Sequence, residues 1–161
     1  MAEKKEKTNV MRVLDAAKIA YEEYTYGPEV GTNGVDVAHA LGQDEKHVYK
    51  TLVTTGKSGS HYVFVIPVAE ELDLKKAAST VKEKSIEMLK SKDLLGLTGY
   101  IHGGCSPIGM KKFFTTTLHE TAANQEYIIF SGGRIGFQVR LDPKDLEKVI
   151  KLSYADLVKK R

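Results

Sequence analysis

Between Gly103 and Lys112 the chain reads Gly-Gly-Cys-Ser-Pro-Ile-Gly-Met-Lys-Lys, a run that no helix or regular strand interior accommodates. Three glycines and a proline fall within seven positions, and two lysines follow at once. Such a run specifies a shaped loop in which backbone approaches something closely, with free N–H groups and positive charge at its exit. A second constraint lies upstream, where Lys50 interrupts the apolar run Val48-Tyr49-Lys50-Thr51-Leu52-Val53. Together the two features suggest a pocket for an anionic or ester-bearing ligand.

The segments around these features alternate between strand and helix patterns. Thr8 and Asn9 are N-cap types ahead of an apolar face at Val10, Val13, Leu14 and Ala17. Tyr21 to Tyr26 reads as extended, and Gly27, Pro28, Gly31 and Gly34 mark a loop. Val35 to Leu41 predicts a short helix stopped by Gly42. Val48 to Thr55 and His61 to Val68 are β-rich runs joined by Gly56-Lys57-Ser58-Gly59-Ser60, a hairpin signal. Asp73 can cap a helix from Leu74 towards Val81; Ser85 to Leu89 fits strand or helix, and Asp93 to Leu97 a short helix. Phe113 to Leu118, Tyr127 to Ser131 and Ile135 to Leu141 are β-like. Asp142-Pro143 starts a last long helix expected to run through Leu146, Val149, Ile150 and Leu152, with Ser153 capping a short one after it. Strands and helices intermingle without a strict βαβ rhythm, which predicts an α+β fold with a mixed sheet.

The chain's 161 residues suit one domain spanning 1–161, enough to bury about 70% of the unfolded surface. Residues 1–7 are charged, lack a following apolar core and read as a frayed tail rather than a signal peptide. No apolar run approaches the roughly 20 residues needed to span a bilayer. The single cysteine suits a reducing compartment, so a cytoplasmic location is expected. With 24 basic and 21 acidic side chains the net charge is +3, which permits nucleic-acid contact without demanding it.

From pattern alone, Lys50 has two readings. It is either an outward lysine on a solvated strand face or a lysine aimed into a pocket, donating to phosphate or carbonyl oxygens. Cys105 near His102 invites a thiol-nucleophile reading, but no third orienting group is identifiable, and a small residue filling a tight loop is the plainer account. The other histidines lack ligand spacing, and His119-Glu120 is not followed by a histidine at the zinc-protease offset, so no metal site is expected. Ser131-Gly132-Gly133-Arg134-Ile135-Gly136 lacks the endings of a P-loop or dinucleotide fingerprint and reads as a glycine hairpin or a pocket rim.

Taken in order and spacing, Val48 to Leu52, Gly103 to Lys112 and Ser131 to Gly136 resemble the YbaK/EbsC family. Its members are free-standing cysteinyl-tRNA(Pro) deacylases related to the editing domain of prolyl-tRNA synthetases. The resemblance implies a mixed fold around a curved, partly barrel-like sheet with surrounding helices. It implies hydrolysis of cysteine mischarged onto proline tRNA, without cofactor or metal, the substrate's own thiol attacking its ester and leaving as a thiolactone. A second hydrolytic site is needed because near-isosteres are poorly separated by binding alone.

Residue by residue, the resemblance makes Lys50 the central functional residue, binding the terminal adenosine or its phosphate. Tyr26, Thr51, Gly103, Ser131 and Gly133 become substrate-binding, with the Gly103 to Gly109 loop as a pocket wall. Lys111, Lys112 and Arg134 become candidate tRNA phosphate contacts. The implied partners are Cys-tRNA(Pro) and prolyl-tRNA synthetase, with no membrane. The chain departs from the family at Asn33, where the pattern has an aromatic residue, at Gln138, where some relatives carry an acid, and at Cys105, where members carry an aliphatic residue. The rival readings are a deacylase for another small amino acid and a non-catalytic tRNA- or synthetase-binding module, which Asn33 would favour. A thiol hydrolase using Cys105 is a third.

Overall fold

The computed structural model describes residues 7–160. Its helices are α1 (Asn9–Ala16), α2 (Gly34–Ala40), α3 (Leu74–Val81), α4 (Ser91–Thr98) and α5 (Pro143–Leu146). Its strands are β1 (Glu22–Thr25), β2 (Tyr49–Gly56), β3 (His61–Pro67), β4 (Ile86–Met88), β5 (Thr115–His119), β6 (Ile128–Ser131), β7 (Phe137–Leu141) and β8 (Leu152–Ala155). The architecture is α+β, as the sequence predicts. A three-stranded sheet runs β1-β7-β6, and a five-stranded sheet runs β4-β2-β3-β5-β8. β2 and β3 form the expected antiparallel hairpin, whereas β3–β5 and β5–β8 pair in parallel, so the larger sheet is mixed.

Both sheets wrap one core. Val63, Val65 and Leu118 of the larger sheet meet Phe130 and Val139 of the smaller, and α1 supplies Val10, Met11 and Leu14. Each of those α1 side chains is wholly buried, a transfer that stabilises by about 1.5–3 kcal/mol for a large aliphatic group. The Thr8 side chain accepts from Met11 N and holds the first turn of α1 against that core. On the opposite face of β3, Phe64 and Ile66 pack against Ala77 and Ala78 of α3 and against Leu157. A third cluster, Ala38, Val48, Val68 and Ile129, seats α2 where the two sheets meet. There Val48 and Ile129 form an isolated parallel bridge. Among the described residues no ladder joins β1 to β8, so the sheets wrap the core without closing a barrel.

The C-terminal expectation is corrected. α5 ends at Leu146, and Leu152 to Ala155, with Ser153, is strand rather than helix. The open edge of β5 recruits it, pairing Thr116 with Leu152 and Leu118 with Tyr154. This places Leu152 and Tyr154 against the main core, a burial that the helical pattern could not have delivered from the same positions. Ser85 to Leu89 resolves as β4, paired with the end of β2. Of the expected N-terminal tail, residues 1–6 lie outside the described residues, and the Lys7 ammonium pairs with Asp15.

Candidate active site

A split in the sheet creates the cleft. Val48 accepts from Val68 N at 2.9 Å, and Gly56 donates to Ser60 O at 2.8 Å, so the even-numbered residues of β2 face β3. The alternation of an antiparallel ladder turns the main-chain groups of Tyr49, Thr51 and Val53 to the other edge. That edge has β6 at one end, through the Val48–Ile129 bridge, and β4 at the other, through Thr54 to Gly56. Val53 O accepts from Leu89 N at 3.0 Å, closing the far end. Between these points no strand ladder covers Lys50 to Leu52. The resulting cavity measures about 490 Å³.

Because neighbouring side chains in a strand leave opposite faces, the cleft is lined from both sides of the sheet. Tyr49 and Val53 point into the main core with Leu94 and Cys105, and Thr51 shares their face. Lys50 leaves on the side of Val48 and Leu52, towards Val37, Val68 and the start of α2. Its ammonium donates to Val68 O at 3.4 Å. Burial pulls the Lys50 pKa below that of an ordinary lysine, and Glu71 and then Glu70 oppose the shift. The Thr51 hydroxyl is buried and makes no hydrogen bond.

Loops finish the walls. Gly103 adopts φ +89°, and a Cβ there would stand 2.9 Å from Thr32 Cγ2, so the glycine-proline loop presses directly on the loop before α2. A Cβ on Gly104 would stand 3.0 Å from Ile135 N, which ties the same loop to the β6–β7 turn. Loops distant in sequence thus converge at Gly103 and Gly104. Tyr26 joins the lining, its main chain donating to Gly136 O at 3.0 Å.

Of the sequence-derived candidates, Lys50, Tyr26, Thr51, Gly103 and Ser131 line one cavity. Gly133 stands behind the wall, where its N–H donates to Ser131 Oγ at 3.1 Å and its α-carbon faces Val10 and Tyr100. Lys111, Lys112 and Arg134 lie outside the lining. Lys111 runs along the end of α4, with Nζ 3.5 Å from Gly96 O. The Arg134 guanidinium sits 5.4 Å from the centre of the Phe137 ring. Asn33 lines the cleft but uses its side-chain oxygen to cap α2, accepting from Val35 N and Asp36 N at 3.0 and 3.2 Å. Gln138 is buried and accepts from Gln43 Nε2 at 2.8 Å.

Sequence reasoning missed Thr32, Ser91 and Leu94, which also line the cavity. Their only signal is tertiary, since each belongs to an unremarkable polar loop or short helix. Cys105 lies in the lining, but burial pushes its thiol up to about 12, so it is a protonated thiol at neutral pH. Among the described residues no hydrogen bond joins it to His102, and no group of three or more metal-ligating side chains forms. No helix among them is long and apolar enough to cross a membrane. The site therefore offers a positioned cation, main-chain polar groups and an apolar inner pocket, a set suited to orienting an ester.

The sequence profile of the aminoacyl-tRNA editing domain matches residues 28–149. EbsC of Enterococcus faecalis, which bears the name of a Cys-tRNA(Pro)/Cys-tRNA(Cys) deacylase, is 44% identical over 163 residues, covering 99% of each chain. A proline–tRNA ligase of Fervidobacterium nodosum is 25% identical over 117 residues, which cover 73% of this chain and 20% of the ligase. A crystal structure described as a trans-editing enzyme for prolyl-tRNA synthetase superposes with a TM-score of 0.81 at 22% identity. It covers 96% of this chain and 100% of that one, a likeness of fold. The profile match takes in Lys50, Thr51, Gly103 and Ser131 together, and with the nearly full-length identity to EbsC it establishes that the chain belongs to the aminoacyl-tRNA editing domain family.

Proposed function

We propose that the protein hydrolyses mischarged cysteinyl-tRNA(Pro), acting in trans as one editing unit over its whole length. The observation that carries this reading is the split cleft, which joins a half-buried lysine to an apolar pocket and holds no activated nucleophile. The near full-length identity to EbsC supports the substrate class. Lys50 binds oxygens of the terminal adenosine or its phosphate by charge-assisted hydrogen bonds. Tyr26, Thr51, Gly103 and Ser131 enclose the aminoacyl ester, and Gly133 holds the Ser131 hydroxyl in place.

The reaction then needs only geometry. The substrate thiolate attacks its own ester carbonyl carbon, the sulfur–carbon bond forms, and the carbon–oxygen bond to ribose breaks. The thiol proton ends on the ribose hydroxyl, and the amino acid leaves as a thiolactone. Intramolecular attack in a held geometry reaches effective molarities of about 10⁵–10⁸ M, so no protein nucleophile or metal is required. Lys111, Lys112 and Arg134 meet backbone phosphates beyond the cleft. A net charge of +3 offers little grip on its own, so prolyl-tRNA synthetase supplies the tRNA choice, in the cytoplasm where that enzyme works.

Single-turnover deacylation of cysteine-, serine- and alanine-charged proline tRNA tests the reading. Cysteine should be released far faster than serine or alanine, because a thiol is partly ionised at neutral pH and a hydroxyl is not. Equal rates would mean that an activated water does the chemistry. Faster release of alanine would assign the site to another small amino acid, and no release with intact binding would make the protein a non-catalytic module.

A further inference from the structure

The two edges of the split face each other with their main-chain groups unused by the neighbouring ladders. On β2, alternation directs the N–H and C=O of Thr51 and the C=O of Tyr49 into the gap. On β6, Gly132 N donates to Phe137 O at 2.8 Å, so the odd-numbered Ser131 turns its own N–H and C=O away from β7 and towards β2. Ile129, two residues earlier and turned the same way, reaches β2 at the Val48 bridge. Beyond that bridge the strands part, and Thr51 and Ser131 line opposite sides of the opening. The buried Thr51 hydroxyl adds a further polar group without a partner.

Lys50 lies on one face of the sheet, while Cys105 and Leu94 lie on the other. A ligand whose anionic end meets Lys50 and whose small side chain fills the inner pocket must thread the split. On the deacylase reading, the part of an aminoacylated nucleotide that falls between those ends is the α-carbon with its ammonium group. The opening is rich in acceptors there, and the competing cation is held on the far face by Val68 O.

We propose that the split recognises the free α-ammonium group of the aminoacyl ester, sharing its protons among the main-chain carbonyls of Tyr49, Thr51 and Ser131 and the Thr51 hydroxyl. Thr51 N–H and Ser131 N–H remain for the ester carbonyl oxygen. This recognition is independent of the side chain, so a free α-amino group is required whatever the attacking group. It rests on the deacylase reading for the identity of the threaded group.

The test removes the amine without touching reactivity, because the α-amino group also tunes a cysteine thiol. Two unreactive amides of 3′-amino-3′-deoxyadenosine 5′-phosphate serve as probes, one carrying cysteine and one carrying 3-mercaptopropionate. Calorimetry should show the desamino probe binding about 10- to 100-fold more weakly, the range expected for lost hydrogen bonds to a charged group. Thr51→Val, checked for an unchanged melt, should weaken the cysteinyl probe and narrow that ratio. Equal affinity of the two probes overturns the proposal, and turnover of Cys-tRNA(Pro) by the same sample leaves the deacylase reading standing. If the sample neither turns over Cys-tRNA(Pro) nor binds either probe, the deacylase reading falls and this proposal falls with it.

Discussion

The Lys50 ammonium reaches the main-chain carbonyl of Val68, 18 residues along the chain and across the hairpin, at 3.4 Å. A bond of that length is a loose tether. An ammonium has three donors, so the tether leaves two for a ligand. Val68 ends the hairpin, and Glu70 and Glu71 follow it, so the same segment holds the lysine and offsets the cost of burying its charge.

Lys50→Met should lower single-turnover deacylation by about 10²-fold or more, as expected for loss of a preorganised charge at a reacting centre. Its melting temperature at pH 7 should stay level or rise. The folded-state pKa of Lys50 is depressed, so the unfolded chain binds the proton more tightly and the charged lysine costs the fold stability at neutral pH. That cost is relieved only as pH rises from the lowered pKa towards the ordinary lysine value. Activity runs the other way and should fail on the alkaline side below the ordinary lysine pKa, and Glu71→Gln should move that limb lower still. A pH–rate profile of both proteins checks the sign.

Cys105→Ala should keep most of the activity. With its pKa pushed up to about 12, the thiol is almost wholly protonated at neutral pH and cannot serve as a nucleophile. Alkylation of the folded protein by iodoacetamide at pH 8 should be slow and should accelerate on unfolding. Loss of turnover in a folded Cys105→Ala protein would establish the thiol-hydrolase mechanism instead.

Gly103→Ala should lower both stability and deacylation. A left-handed conformation costs a residue with a Cβ about 1–2 kcal/mol, and each kcal/mol moves the melt by about 2–4 °C in a domain of this size. The new methyl group also meets Thr32 Cγ2 at 2.9 Å. Adding Thr32→Ser removes that methyl and should recover part of the loss, whereas the backbone strain stays. Thermal melts of the single and double variants separate the two contributions.

His119 should make the fold sensitive to acid. It is buried, accepts from Leu157 N at 3.1 Å through Nδ1, and has its pKa lowered chiefly by burial. Asp156 at 4.0 Å, with Glu120 and Glu70, favours the charged form, and Lys76 opposes it. The unfolded chain therefore binds the proton more readily, so stability is present above the ordinary histidine pKa of about 6.5 and is lost as pH falls below it. His119→Asn keeps an acceptor for Leu157 N without titrating. Its melting temperature should fall less than that of the wild type between pH 7.5 and 5.5.

Much of the fold follows from local chemistry. Thr8, Asp73 and Asp142 cap the helices that follow them because their side-chain oxygens reach the first free N–H groups. The Gly56 to Ser60 turn sets the register of β2 on β3, since a short glycine-bearing connection leaves few ways for two apolar runs to pair. Lys50, Thr51, Gly103 and Ser131 were legible as a group only through their resemblance to a family, because pattern alone left Lys50 on either face of its strand.

Tertiary structure decided what depends on partners distant in sequence. β8 is a strand because β5 presents an open edge, while its four residues and the helix start before them carry no local signal strong enough to say so. The cleft exists because β6 and β4 each take one end of the same β2 edge and leave the middle bare. No property of Thr51 or Ser131 announces that their backbones face one another, since alternation fixes the direction of a main-chain group only once the neighbouring strand is known. Gly133 and Ser131 are separated by two positions, yet one supports the wall from behind and the other lines it. Sequence thus determined the strands, the caps and the residue types of the site. Only the assembled sheets determined which polar groups were left over for a substrate, because hydrogen bonds satisfied elsewhere are not available to bind one.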